Sequence, residues 1–104
     1  MIVITSSHIA GKSITQTLGM VRGVTVRAHH AGADLLAYMR NLVGGEVYEY
    51  TKMLAEAREQ AIDRMIEDAR QLGADAIVDV RFNTSDIASG AAEVLAYGTA
   101  VKLG

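Results

Sequence analysis

The sequence predicts an α+β fold of two layers, in which a mostly antiparallel sheet packs on one long helix and one short helix. Two observations support this prediction. Strand periodicity occurs at both ends of the chain and helical periodicity between them, so the order is strand, strand, helix, helix, strand, strand. The 104 residues are half hydrophobic and contain no proline, which suits one domain over residues 1–104 with a core of its own.

The first two predicted strands lie in the N-terminal part of the chain. Residues 2–4 form a short apolar run. Residues 14–28 form an extended segment in which β-branched residues and glycines recur. Its even-numbered apolar residues are Ile14, Leu18, Met20, Val24 and Val26. We therefore expect two strands joined by a polar loop.

Two helices are predicted in the middle of the chain. In residues 32–43 the apolar residues recur at helical spacing, and Gly44-Gly45 follows as a helix end and hinge. From Val47 to Leu72 the apolar residues recur every three or four positions, and Gly73 ends the run. The second segment is therefore a long amphipathic helix that can cover one face of a small sheet.

Strand periodicity returns in residues 74–84 and 92–103, with a loop predicted over residues 85–90. The first of these strands places Ala76, Val78, Val80 and Phe82 on one face. The second strand is apolar on both faces, because Leu95, Tyr97, Thr99 and Val101 alternate with Ala92, Val94, Ala96, Gly98 and Ala100. Since one helix covers only one face, we expect another copy of the chain to cover the other, in a closed, rotationally symmetric assembly.

The loop that ends in Gly11-Lys12-Ser13 has part of the pattern of a phosphate-binding loop. However, Ser6 or Thr5 stands where the full motif needs its first glycine, and an extended segment follows where a helix is needed. A loop between two strands cannot direct a helix dipole at phosphate. We therefore predict a polar turn in which Lys12 is solvated.

Composition and charge exclude several classes of protein. The formal net charge is -2 and the basic residues are scattered, so nucleic acid is not an expected partner. The absence of cysteine excludes disulfides and thiolate metal sites. No apolar run reaches the roughly 18 residues of a membrane helix, and the N-terminal residues lack the pattern of a signal peptide. We expect a soluble cytoplasmic protein that does not contact membranes.

A set of short motifs extends over nearly the whole chain. They are Gly19-x-Val21-x-Gly23, Arg40 before Val43-Gly44-Gly45, Tyr50, Leu54, Ala57-Arg58-Glu59, the run LGADAIV at residues 72–78, and Gly98-Thr99-Ala100-Val101. Together they resemble the YbjQ-like family, to which heavy-metal binding has been ascribed. The resemblance implies a dodecin-like α+β subunit that assembles into a ring, typically a homopentamer, with extra strands joining neighbours.

One departure from the family pattern affects the expected metal chemistry. Family members often carry a cysteine directly before the first glycine of Gly-x-Val-x-Gly, and this chain has Leu18 there. A site built from imidazoles and carboxylates would prefer zinc, nickel or copper to the soft heavy metals. The candidate ligands are His29, His30 and Asp34, joined by His8 across space or from another subunit. The alternative is that these are solvated loop residues.

The remaining polar residues indicate no catalytic and no cofactor-binding group. An acidic stripe on the long helix, formed by Glu56, Glu59, Asp63 and Glu67, is interpreted as its solvent face. Arg58 is expected to pair with Asp75 or Asp79. No serine has the context of a nucleophile. The sequence therefore favours a metal-binding or scaffolding ring over an enzyme. A ring that binds a small molecule without metal, and an enzyme with a site between subunits, are the alternatives.

Overall fold

The computed structural model of the protein describes residues 1–28, 48–88 and 91–104. Within these residues the chain forms strands β1 (Ile2–Val3), β2 (Ile14–Ala28), β3 (Ala76–Ala88) and β4 (Ala91–Leu103) and helix α1 (Tyr48–Gln71). The predicted strand over residues 14–28 and the predicted long helix are confirmed. The short helix expected over residues 32–43 and the Gly44-Gly45 hinge lie outside the described residues.

The four described strands form one sheet in the order β1-β3-β4-β2. β4 lies antiparallel between β3 and β2, and β1 lies parallel to β3. The mostly antiparallel sheet is therefore confirmed, with β1 as the exception. The loop expected over residues 85–90 is wrong over residues 85–88, because Ser85 and Asp86 continue the pairing with β4 and β3 ends only at Ala88. Residues 89 and 90 lie outside the described residues.

α1 lies over β2 and β4 and buries a row of mostly small side chains against them. The row consists of Ala57, Ala61, Met65 and Ala69, and it packs on Val21, Val94, Ala96 and Ala100. Gly23 of β2 lies directly beneath α1, where an added Cβ would collide with the Ala61 carbonyl oxygen and the Met65 amide nitrogen. Glycine is required there because the helix backbone contacts the sheet. No helix among the described residues is long and apolar enough to cross a membrane.

The end of α1 confirms the role predicted for Gly73. This residue has a φ of 75°, and its N–H donates to the Arg70 carbonyl at 2.9 Å. The Ala74 N–H donates to the Ala69 carbonyl at 3.1 Å. This pair of bonds satisfies two carbonyls at the helix end and turns the chain into β3, as in a Schellman motif.

β3 contains a bulge at Asp79, whose φ of 54° lies in the left-handed region. Before the bulge Val78 opposes Thr99, and after it Arg81 opposes Tyr97. β3 therefore has one residue more than β4 in this interval. An extra residue reverses the alternation of side chains between the two faces of a strand.

Because of the bulge, the residues of β3 that share a face of the sheet differ from those predicted. Val80 lies in the core beneath α1, whereas Ala76 and Val78 belong to a second cluster together with Val101 of β4. The prediction that Ala76, Val78, Val80 and Phe82 share one face is therefore wrong. The second cluster packs with Ile2, Ile4, Ile9 and Leu103. The N-terminal segment thus covers part of the sheet face that the sequence assigned to another copy.

Backbone hydrogen bonds hold the N-terminal segment to β3 beyond the two residues of β1. The Ile4 N–H donates to the Ile77 carbonyl at 3.0 Å, and the Val80 N–H donates to the Ile4 carbonyl at 3.1 Å. Arg81 adds a side-chain bond from Nη1 to the Thr5 carbonyl at 2.9 Å. These bonds place residues 2–5 along the outer edge of β3.

Candidate functional site

The predicted metal ligands fall in two parts of the chain. His8 is exposed in the loop between β1 and β2, where the Ser6 hydroxyl donates to the His8 carbonyl at 2.9 Å. His29, His30 and Asp34 lie outside the described residues. Within residues 1–28, 48–88 and 91–104, no three histidine, aspartate or glutamate side chains are arranged to hold a metal ion. A site built on His29 and His30 therefore stays a prediction.

The loop that ends in Gly11-Lys12-Ser13 forms a reverse turn. The Lys12 N–H donates to the Ile9 carbonyl at 3.1 Å and Gly11 has a φ of 76°, as in a type II turn. β2 then begins at Ile14, so a strand follows the loop, as predicted. A phosphate-binding loop requires a helix at this point. The turn brings Ile9 back over the second hydrophobic cluster.

The acidic stripe of α1 is exposed, and three of its four residues line one wall of a shallow groove. The stripe consists of Glu56, Glu59, Asp63 and Glu67, and Arg27 of β2 forms the opposite wall. Arg27 Nη1 lies 3.5 Å from Glu56 Oε2, and Arg27 Nη2 donates to Gln60 Oε1 at 3.2 Å. The interpretation of the stripe as a solvent face is confirmed. Its contact with Arg27 joins α1 to the end of β2.

Arg58 does not make the predicted ion pair. It is exposed on α1, and the described residues contain no pair between Arg58 and either Asp75 or Asp79. Asp75 instead joins the start of β3 to the end of β4. Its Oδ2 accepts the Leu103 N–H at 2.9 Å, and its own N–H donates to the Val101 carbonyl at 2.9 Å.

The sheet face opposite α1 carries an exposed apolar surface on β2 and β4. We call this surface the open-face patch; it consists of Met20, Val24, Val26, Leu95 and Tyr97, and Arg22 and Glu93 lie beside it. The exposed fractions are 66% for Met20, 54% for Val26 and 36% for Tyr97. Met20, Val24, Leu95 and Tyr97, together with Arg22 and Glu93, line a shallow concavity of about 490 Å³. A surface of this composition can bury apolar area against a partner.

A second apolar surface lies on the α1 side of β3. We call it the Phe82 groove; it is lined by Val3, Ile4, Thr5, Ser6, Ile62, Val80 and Phe82. Phe82 is 42% exposed, although the sequence placed it on one face with Val80, which is buried. The reason is that α1 lies over β2 and β4 and leaves the outer half of β3 open. The polar neighbours Arg81, Asn83 and Thr84 are the sequence signal that could have indicated this exposure.

Comparison with known proteins gives a consistent assignment across the whole chain. Residues 1–104 match a family model described as "Putative heavy-metal-binding". The chain is 61% identical over 103 residues to a UPF0145 protein of Methanosarcina acetivorans, covering 99% of this chain and 97% of that protein. It is 54% identical to UPF0145 proteins of Photobacterium profundum (99% of this chain, 100% of that protein) and Thermus thermophilus (99% and 90%).

The fold also matches a solved structure. A protein of unknown function from Pediococcus pentosaceus, which belongs to the DUF74 family, superposes with a TM-score of 0.64. The match covers 100% of this chain and 98% of that chain at 19% sequence identity, so it shows a shared fold alone. Because a family model matches every residue and several relatives are more than half identical, the chain belongs to the UPF0145 family, the YbjQ-like family that its motifs resemble.

Proposed function

We propose that the protein is the subunit of a homo-oligomeric ring in the cytoplasm, a pentamer, that binds a divalent transition metal through its histidines. The open-face patch is the observation that carries the proposal. α1 covers β2 and β4 on one face of the sheet and the N-terminal segment covers part of the other face, yet the patch stays exposed. Contiguous exposed apolar surface marks an interaction site, and a second copy of the chain is the simplest partner.

The position of the two apolar surfaces supports a ring. The open-face patch lies on the face opposite α1, and the Phe82 groove lies on the α1 side of β3. Two different surfaces that point in opposite directions suit a head-to-tail contact, which rotation closes into a ring. The number five comes from the family resemblance.

The assembly is tested with a charge on the open-face patch. Met20→Glu and Val26→Glu change side chains that are more than half exposed, so the subunit should keep its fold. In a buried interface each charge would be uncompensated, at a cost of several kcal/mol. We expect sedimentation velocity at micromolar concentration to show the parent as a discrete oligomer and the double variant as a monomer.

A matched control makes the same chemical change elsewhere. Leu72→Glu adds an acid at a half-exposed apolar residue beyond the end of α1, away from the patch, and it should leave the oligomer intact. A parent protein that sediments as a clean monomer would overturn the proposed assembly. Equal oligomers in the parent and the double variant would remove the open-face patch from the interface.

Metal binding is the second part of the proposal. The family description and the adjacent pair His29-His30 support it. Zinc sites use three or four protein ligands, and a ring supplies them by repeating one or two histidines of each chain around its axis. The site would hold zinc, nickel or copper, with His29, His30 and Asp34 as ligands and His8 as a further candidate.

Metal binding is tested by titrating the untagged protein with zinc. We expect His29→Ala/His30→Ala to abolish binding and Asp63→Asn, a change within the exposed acidic stripe, to leave it unchanged. Binding should weaken below about pH 6, because protonated imidazole cannot coordinate a metal. If the double histidine variant binds zinc as tightly as the parent, these residues are not the ligands.

Two alternative functions can be tested on the same purified protein. Native mass spectrometry combined with elemental analysis of the purified protein reports the number of chains and any metal they carry. A small organic molecule retained without metal would favour a ligand-binding ring. A cluster of polar residues converging between subunits would favour an enzyme.

A further inference from the structure

We propose that α1 guards the outer edge of β2 and so prevents a second copy of the chain from adding a strand there. Among the strands that the structure describes, β2 is an edge strand of 15 residues, with β4 on its inner side. Edge strands present backbone N–H and C=O groups that attract other strands, and proteins protect them in recognisable ways. In this chain the protection comes from polar side chains of α1, and we call these side chains the guard.

Two hydrogen bonds from α1 occupy outward-facing backbone groups of β2. The Arg22 N–H donates to Asp68 Oδ2 at 3.2 Å, and Arg64 Nη1 donates to the Val24 carbonyl at 2.6 Å. A neighbouring strand would offer the same groups, an acceptor for the N–H and a donor for the carbonyl. Asp68 and Arg64 therefore take the place that the backbone of an added strand would occupy.

The distance between these side chains along the helix matches the distance between outward-facing residues along the strand. Residues four apart on a helix are separated by about 6.0 Å along its axis, and residues two apart on a strand by about 6.6 Å. Arg64 and Asp68 can therefore meet Val24 and Arg22 in register, one helical turn for each outward-facing residue. The next turn brings Gln60 to the Arg27 side chain, which joins α1 to the end of β2 without occupying a backbone group of the edge.

The close approach of α1 to β2 makes the guard possible. Gly23 lets the helix backbone contact the strand, which brings Arg64 and Asp68 within reach of the edge. Without the guard, the long β2 edge of one subunit could pair with that of another and merge two sheets side by side. The guard closes the β2 edge to a second copy and leaves the open-face patch and the Phe82 groove free for self-association, but it does not depend on that assembly.

Hydrogen exchange measured by NMR tests the guard at one atom. The Arg22 amide should be protected in the parent, and Asp68→Ala should raise its exchange rate about tenfold because the acceptor is lost. Asp68→Asn should retain most of the protection, since the amide oxygen can still accept. The control Asp63→Ala lies on the exposed face of α1 and should leave the rate unchanged.

Sedimentation velocity over a concentration series tests the consequence. Arg64→Ala/Asp68→Ala should form species larger than the parent, growing with concentration. The charge-matched control Asp63→Ala/Arg70→Ala should sediment like the parent. The guard is refuted if the Arg64→Ala/Asp68→Ala protein is folded but sediments like the parent at every concentration, or if Asp68→Ala leaves Arg22 exchange unchanged. Exchange at Arg22 reports a hydrogen bond within one subunit, whereas the sedimentation result is read against the parent protein in whatever oligomeric state the parent has.

Discussion

Replacing Gly23 with alanine should destabilise the subunit severely. The added Cβ would collide with the Ala61 carbonyl oxygen and lie 2.5 Å from the Met65 amide nitrogen and 2.9 Å from Arg64 Cβ. Carbon atoms normally stay about 3.5 to 4.0 Å from such neighbours, so α1 must move away by about 1 Å or more. Two of these neighbours are helix backbone and cannot rotate away, unlike the end of a side chain.

The magnitude follows from what α1 loses when it moves. Its buried row, Ala57, Ala61, Met65 and Ala69, packs directly on the sheet. Overpacking a core costs typically 1 to 3 kcal/mol and more where the backbone must shift. We therefore expect Gly23→Ala to lower the free energy of unfolding by about 3 kcal/mol or more, measured by urea unfolding at one fixed subunit concentration, since oligomers unfold in a concentration-dependent way.

Gly11→Ala is the matched control for the loss of glycine itself. No atom lies within 4 Å of a Cβ at Gly11, but its φ is 76°, so the cost should be about 1 kcal/mol from backbone strain alone. A Gly23→Ala protein whose free energy of unfolding is within about 0.5 kcal/mol of the parent would refute the direct contact between helix and sheet backbones.

Three further predictions concern single side chains. Thr25 is 1% exposed, and its hydroxyl lacks a hydrogen-bond partner within the described residues; Thr25→Val should raise the free energy of unfolding by about 1 kcal/mol in urea unfolding. The free energy of unfolding of Asp79→Val should be about 2 kcal/mol lower than that of Asp79→Gly, because a β-branched residue resists the φ of 54° at the bulge. Equal stability of the two variants would contradict a strained bulge. Lys12→Ala should change stability by less than about 0.5 kcal/mol, and calorimetry should detect no saturable binding of ATP to the parent or the variant.

The sequence by itself determined where the elements lie, because their signals are local. Apolar spacing and β-branched residues identified β2, and Gly73 marked the end of α1 through a backbone conformation that favours glycine. The alternation in β4 correctly indicated two apolar faces. For the candidate site, the sequence correctly predicted a turn rather than a phosphate-binding loop before Ile14. The ligand set centred on His29 and His30 lies outside the described residues and stays a prediction.

Only the tertiary structure decided how those elements cover one another. The bulge at Asp79 reverses the faces of β3, and one inserted residue leaves no clear trace in an apolar pattern. Ile9 covers the second face from a distant part of the chain, while Phe82 stays exposed because α1 lies elsewhere.

The guard on β2 depends even more on the tertiary structure. An arginine and an aspartate one turn apart on a helix have the sequence pattern of any solvent-exposed face. Whether Arg64 and Asp68 meet water or the backbone of Val24 and Arg22 depends on how α1 lies across the sheet. That placement is set by the contact at Gly23 between segments about forty residues apart, and local sequence rules do not specify contacts between distant segments.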